Sequence, residues 1–460
     1  MAIPFLDRRE ETERIQRALG AGEPGLTVVY GRRRCGKSTL IQRIVRPGDV
    51  YVLADQCDPA LQIRSVAEAL AAVIPGFAVA AYPTWDALLT TLTDRATART
   101  ALLIDEFPYL VQGTPELPSL IQRQLDRPGA KRIDWLLCGS SQRMMHGAIL
   151  DPSAPLYGRA REILKIRPLA AGWITDALHL SAADGVVAYS VWGGIPRYWE
   201  LASEYAGLES SIKALVLDRN GVLHEEPNRL LQEEMRSAVQ ARSLLATIGS
   251  GCHRLSEIAA RLNRPAVGLS RPLGLLIDMG LVRRDLPWGE STRSTKRTLY
   301  RIEDPFLRFF FRFVAPHQSA LELGRTSDVG AEVMKGLPAH VGDAWEELAR
   351  DSVPSLGLDG KTWKAAARWW GPDVDGRPME IDVVAESYDG ESLLVGEAKW
   401  SVSQGEIKGI AARLASAGRR LPFAQGRRLV PALWTRTSDL LPSDGLRIVT
   451  PDEVMGRLRD

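Results

Sequence analysis

Two short stretches carry residue types at spacings that could do chemistry. The first is GRRRCGKST, residues 31–39. Gly31, Gly36, Lys37 and Ser38 satisfy GxxxxGK[ST] directly after the apolar run LTVVY and before a helical pattern, the context in which this spacing cradles phosphates. Glycines let the backbone N–H groups of Arg32, Arg33, Arg34 and Cys35 curl around anionic oxygens. The start of the following helix, at Lys37, Ser38 and Thr39, adds its positive end. Lys37 is then expected to reach the β and γ phosphates of ATP, and Ser38 to place its hydroxyl on Mg²⁺. The run TALLIDEF supplies the acids, with a strand delivering Asp105 to the metal site and Glu106 to polarise an attacking water.

The second stretch is MEIDVVAESYDGESLLVGEAKW, residues 379–400. Asp382 closes one apolar strand pattern. Glu397 and Lys399 lie on the next, beyond a turn at SYDGES. Residues two apart on a strand share a face, and a hairpin sets Asp382 beside them. Two carboxylates and a lysine on one face make a site for one or two Mg²⁺ ions, with the lysine steering a water onto a phosphodiester. Alternating charges on an exposed strand pair would read the same way, so the pattern alone leaves both open.

Further polar residues fall between these stretches. WLLCGSS ends an apolar strand with Ser140 and Ser141, where a hydroxyl could sense the γ phosphate, or where a strand simply turns. PLYGRAREI offers Arg159, with Arg161 beside it, as an arginine finger supplied from a neighbouring subunit or as a plain surface arginine. The finger reading implies a homo-oligomer in the ATP state.

The elements that must hold these residues follow from periodicity. LTVVYG, VYVLAD, TALLIDEF and DWLLCGSS alternate with helical patterns over residues 1–170, which predicts a parallel sheet covered by helices. Residues 171–235 read as helical, broken at WGGIPRYW. Residues 236–314 have the cadence of a winged helix-turn-helix, with Ile258, Leu262, Leu269, Leu273, Leu276 and Ile277 on the buried faces. There Arg271 on the recognition helix and Arg293, Lys296 and Arg297 on the wing are candidates for DNA phosphates. FLRFFFRFV (306–314) reads as a core helix, 315–328 as a boundary, and 329–460 as a further α/β domain. In that domain Arg419–Arg420 and Arg427–Arg428 could track a phosphate backbone.

Composition bounds the rest. The 460 residues are 45% hydrophobic and 25% charged with a net charge of +2, so any nucleic-acid binding must come from local patches. No apolar run reaches the ~18–20 residues of a membrane span. Four scattered cysteines form no disulfide framework, which fits a cytoplasmic protein. Only ten of 58 basic residues are lysines, which makes Lys37 and Lys399 conspicuous.

FLDRREE near the start, the phosphate loop, LLIDEF, LLCGSS, PLYGRA and WGGIP, in this order, resemble the archaeal-type ATPases of the AAA+/STAND group. The resemblance implies a P-loop NTPase sheet with a helical lid that closes over nucleotide, its turn at Gly194-Ile195-Pro196. It also implies that Asp7-Arg8-Arg9-Glu10 flanks the base. The 382–399 pattern resembles the PD-(D/E)xK nuclease core, which implies a restriction-endonuclease-like α/β fold and a helical glutamate upstream, here Glu346. Two functions follow. One is an ATP-driven switch coupled to a metal-dependent, DNA-acting nuclease-like domain. The other is an ATP-dependent regulatory or assembly protein whose C-terminal domain binds nucleic acid or protein without cutting.

Overall fold

A strand buried on both faces reads as a continuous apolar run rather than an alternating one, and of the N-terminal strands the central ones take that form. In a computed structural model of the protein, which describes residues 3–127, 132–235, 237–291, 297–437 and 445–459, five N-terminal strands make one parallel sheet. They are β1 (Leu26–Tyr30), β2 (Val50–Leu53), β3 (Thr100–Asp105), β4 (Ile133–Gly139) and β5 (Ala160–Lys165), in the order β2-β3-β4-β1-β5. Every residue of β4 is buried. Because the strands are parallel, the loops that follow β1, β3 and β4 open on one edge, and the strand order makes them neighbours. This is where ligands of open α/β sheets bind. Residues Asp7–Pro168 with Glu233–Met235 form this compact unit, and the rest of the chain forms a second.

The second unit starts with helices Trp173–Leu178, Ala182–Trp192 and Pro196–Ala202. Gly193 takes φ 58°, and its carbonyl accepts the Trp199 indole N–H at 2.7 Å, which fixes the GGIP turn. Helices Ala238–Gly249, Leu255–Arg261 and Ser270–Asp278 follow, then an antiparallel pair, β6 (Val282–Asp285) and β7 (Leu299–Ile302). Ile258, Leu269, Leu273 and Leu276 are buried. The C-terminal sheet comprises β8 (Ala367–Pro372), β9 (Pro378–Glu386), β10 (Ser392–Ala398), β11 (Arg428–Trp434) and β12 (Arg447–Val449), in the order β12-β11-β10-β9-β8. β8, β9 and β10 pair antiparallel, and β10, β11 and β12 pair parallel. Helix Ile407–Arg420 buries Ile407, Ile410 and Leu414 on it.

Two expectations are corrected here, and residues 315–328, read as a boundary, carry helix of their own. Gln318–Glu322 is helical, and a single helix, Thr326–Leu356, runs from that segment into the C-terminal domain. Of the segment after β6, Trp288 and Arg297 are docked rather than held out for phosphates. The Trp288 N–H donates to the Arg368 carbonyl at 2.8 Å, its ring lies 4.5 Å from Phe423, and Arg297 lies over Trp369, pairs with Glu290 and donates to the Trp370 carbonyl. Arg293 and Lys296 lie outside the described residues. Three of the four paired arginines are likewise engaged, Arg420 with Asp373, Arg427 with Glu386 and Arg428 with Asp359. The aromatic helix is core, as its composition predicts, with Phe306, Phe309, Phe310 and Phe311 buried.

His340 of the long helix is fully buried between Phe309 and Phe313, and its Nε2 donates to the Ser190 carbonyl at 2.8 Å. Burial pushes its pKa down to about 4. The folded state therefore holds the neutral ring, a contribution present above the unfolded value near 6.5 and lost as pH falls from there towards 4. Urea unfolding of wild type and His340→Gln at neutral pH and near pH 4 checks this. The stability difference between them should shift by about 3 kcal/mol against wild type at the lower pH.

Candidate functional site

Backbone conformation builds the loop after β1. Gly31 takes φ 151°, and a Cβ there would lie 2.3 Å from the Ile166 carbonyl oxygen, so only glycine lets the chain pass. Arg34 (φ 68°) and Gly36 (φ 84°) are left-handed and wind the loop into helix Lys37–Ile44. Lys37 is 5% exposed and its Nζ donates to the Arg32 carbonyl at 3.0 Å. Cys35 is buried in the loop, Ser38 is half-buried in the first helical turn, and Thr39 is exposed. Arg33, at the loop's surface, pairs with Glu233. In the Asp7–Glu10 element Arg8 is the structural residue. It is buried, ion-paired to Glu11 at 2.9 Å, and donates to the carbonyls of Arg167 (2.6 Å) and Cys35 (3.3 Å), clamping the loop from behind.

The acids stand at the end of β3, one strand removed from β1. Asp105 is fully buried. Its Oδ1 accepts the Glu106 N–H at 3.0 Å and its Oδ2 accepts the Tyr51 hydroxyl at 3.1 Å. Burial, then the charge of Asp105, pushes the Cys138 thiol up. Glu106 takes φ 54°, and both its carboxylate oxygens receive the Ser140 hydroxyl, at 2.7 and 2.8 Å. Ser140 therefore holds the acid expected to polarise water. Ser141 has another task, since its Oγ accepts the Met144 N–H at 3.4 Å and caps the short helix Gln142–Met145.

Arg159 is at the wrong end of the sheet for its own site. β5 meets β1 as Leu26–Ala160 at one edge and Tyr30–Lys165 at the loop edge, so Arg159 precedes the far end. Its guanidinium binds Asp126 through Nε and Nη2 at 2.9–3.2 Å. Arg161 donates to the carbonyls of Ala18 and Glu23. A finger role for Arg159 on its own chain's nucleotide is excluded by this placement.

In the second unit, β9 and β10 set Asp382 and Glu397 opposite each other, one step beyond the pair Gly396–Val383. The Ala398 N–H donates to Asp382 Oδ2 at 3.0 Å. Lys399 Nζ lies 3.1 Å from Glu397, which Arg413 also contacts at 3.3 Å. Glu346 of the long helix is close enough to Asp382 that burial, then that like charge, pushes it up to about 7. Burial raises Asp382 too. Arg350 donates to the Asp382 carbonyl at 2.9 Å and lies 3.8 Å from Glu346. Among the described residues no three His, Cys, Asp or Glu side chains converge to hold a metal ion. The expected residues come together, but Glu397 is turned to its cations rather than towards the other two carboxylates.

Residues 5–201 match a family described as an ATPase domain predominantly from Archaea. Residues 5–201 form an archaeal-type ATPase domain. Residues 310–410 match a second family, described as archaea bacterial proteins of unknown function. An uncharacterised protein of Methanocaldococcus jannaschii is 29% identical over 406 residues, 86% of this chain and 87% of that protein. Among solved structures, a Walker-type ATPase of Pyrococcus abyssi is 20% identical with a TM-score of 0.48, covering 67% of this chain and 96% of that one. The ORC2 protein of Aeropyrum pernix is 15% identical with a TM-score of 0.45, covering 73% and 96%. No helix among the described residues is long and apolar enough to cross a membrane.

The ATPase domain's residues fit a nucleotide and a hard cation. A Cβ on Gly36 would meet nothing within 4 Å, so the loop leaves room above the helix N-terminus. Ser38 and Asp105 offer only oxygen, the donor type magnesium takes. Sequence reasoning missed Tyr51, and it gave Arg8 only as part of an element flanking the base, not as a clamp on the loop. The signal for Arg8 was one more arginine beside the start of a helix, and for Tyr51 the single polar tip in VYVL. Lys37→Ala in the ATPase domain should abolish ATP binding by calorimetry. Glu106→Gln should keep binding while hydrolysis falls about a hundredfold or more.

Proposed function

We propose that the protein is an ATP-driven switch in which hydrolysis at the 31–39 loop controls a metal-dependent, nuclease-like C-terminal domain acting on DNA. The observation that carries the second half is the pairing of Asp382 and Glu397 across β9 and β10, with Lys399 on the same face and Glu346 at their side. Burial first, and then the like charge of Asp382, raises Glu346 to about 7, and a divalent cation beside them would offset both. Such a cation would activate a water; Asp382 and Glu346 would hold it, and Glu397 would join them only on leaving Lys399 and Arg413. Lys399 would steer the water towards a phosphodiester. In the ATPase domain Ser38 and Asp105 would face Mg²⁺, and Lys37 the β and γ phosphates of ATP.

The remaining assignments belong to the same reading. Residues 1–170 are the ATPase core, 171–235 a lid whose turn at Pro196 closes on nucleotide, 236–314 a winged helix-turn-helix and 329–460 the nuclease-like domain. Arg261, Arg264 and Arg271 are exposed on the helical face of the third and would meet DNA phosphates. Arg159 would act on the site of a second subunit, so the ATP state is a homo-oligomer. One observation favours a second reading. Glu397 is neutralised by Lys399 and Arg413, which suits a regulator whose C-terminal domain binds nucleic acid or protein without cutting.

Incubation with single-stranded, duplex and branched DNA, and with RNA, in Mg²⁺ or Mn²⁺ and each nucleotide state decides between them. The first reading expects cleavage that stops with EDTA and is lost, with DNA affinity kept, in Lys399→Ala. Absence of metal-dependent cleavage with every substrate would establish the second.

A further inference from the structure

Asp105 has no access to solvent, and a carboxylate so placed keeps its charge and its direction only through hydrogen bonds. Three donors surround it. The Glu106 N–H takes Oδ1. The Cys138 thiol, one step beyond the Ile104–Leu137 pair on β4, is a weak donor to the same carboxylate. The Tyr51 hydroxyl, from the neighbouring strand β2, donates to Oδ2 at 3.1 Å.

Tyr51 is itself oriented. Gln42, on the helix that begins at Lys37, donates its side-chain amide to the phenol oxygen at 3.3 Å. A phenol oxygen that accepts from Gln42 has its own hydrogen left for Asp105. The relay therefore joins the helix carrying Lys37 and Ser38 to the strand end carrying Asp105. It does so across the edge of the sheet, where β2 pairs only with β3. Val50 and Val52 face the core while Tyr51 is half-buried on the opposite side of the strand. Packing alone would need its ring and not its hydroxyl.

We propose that Tyr51 is a positioning residue of the nucleotide site: its hydroxyl, oriented by Gln42, fixes the Asp105 carboxylate in the direction from which it serves a magnesium ion bound with the nucleotide. The inference rests on the ATP reading above. Its test is the affinity of fluorescent ADP, titrated with EDTA and again with excess Mg²⁺, for wild type, Tyr51→Phe and Gln42→Ala. Wild type is expected to tighten on adding Mg²⁺. Tyr51→Phe should keep the metal-free affinity and lose about tenfold of that tightening, the worth of one hydrogen bond to a charged group. Gln42→Ala should lose about threefold in the same direction, because it removes only the orientation.

A structural role would instead shift metal-free and metal-bound affinity together. Tyr51→Phe protein whose Mg²⁺ tightening matches wild type overturns the inference. If Tyr51→Phe does not fold, Gln42→Ala decides, since Gln42 is exposed, and unchanged tightening there overturns it equally. Wild type that binds ADP without any Mg²⁺ effect would bring down the metal-facing reading of Ser38 and Asp105, and the inference with it.

Discussion

Charge held out of water is the constraint on which the nucleotide-binding unit depends. Lys37, Asp105 and Arg8 are all nearly or fully buried, and each would destabilise the fold by several kcal/mol if left without partners. Their partners are backbone groups and side chains supplied by different elements: the Arg32 carbonyl for Lys37, the Glu106 N–H and Tyr51 for Asp105, and the Cys35 and Arg167 carbonyls with Glu11 for Arg8. Satisfying them all at once requires the phosphate loop, the end of β3 and the chain after β5 to sit where they do. The geometry that could bind a triphosphate is thus the geometry that keeps these charges paired. Gly31, passing where the Ile166 carbonyl leaves no room for a Cβ, belongs to the same closure.

The same constraint shapes the second unit. Glu347 is clamped between Arg283 and Arg308, which hold it well below the usual carboxylate range. Glu346, its neighbour in sequence, has weaker cationic company and a like charge in Asp382, and it moves the other way. Burial pushes both of these adjacent glutamates up; two arginines overturn it at Glu347, while at Glu346 the like charge of Asp382 adds to it. Arginine's planar fork suits such internal pairing. Many arginines that could have been reserved for phosphates are instead partners of Asp373, Glu386, Asp359 and Glu290.

What the sequence made legible follows from local rules. Continuous apolar runs gave parallel strands because such strands are covered on both faces, and the glycines at 31 and 36 marked the loop because the backbone there is left-handed or tightly approached. The hairpin spacing placed Asp382 against Glu397. The Tyr51–Asp105 and Ser140–Glu106 contacts could not be read, because they depend on which strands become neighbours. The docking of Trp288 and Arg297 on the C-terminal sheet was hidden for the same reason, since a polar hairpin in sequence says nothing of the face it meets. Residues 315–328 read as a boundary because Pro316 and Gly324 punctuate them, and the chain does turn at Gly324 (φ 77°), between helices Gln318–Glu322 and Thr326–Leu356.

Hydrogen exchange read by mass spectrometry on the full chain, with and without MgATP, tests most directly the claim that one nucleotide site governs both units. The account predicts slowed exchange in residues 31–39 and 140–143 when ATP is bound, together with altered exchange in 379–400. Unchanged exchange in 31–39 at saturating ATP would contradict the site itself. Protection of 31–39 with 379–400 untouched would contradict the coupling.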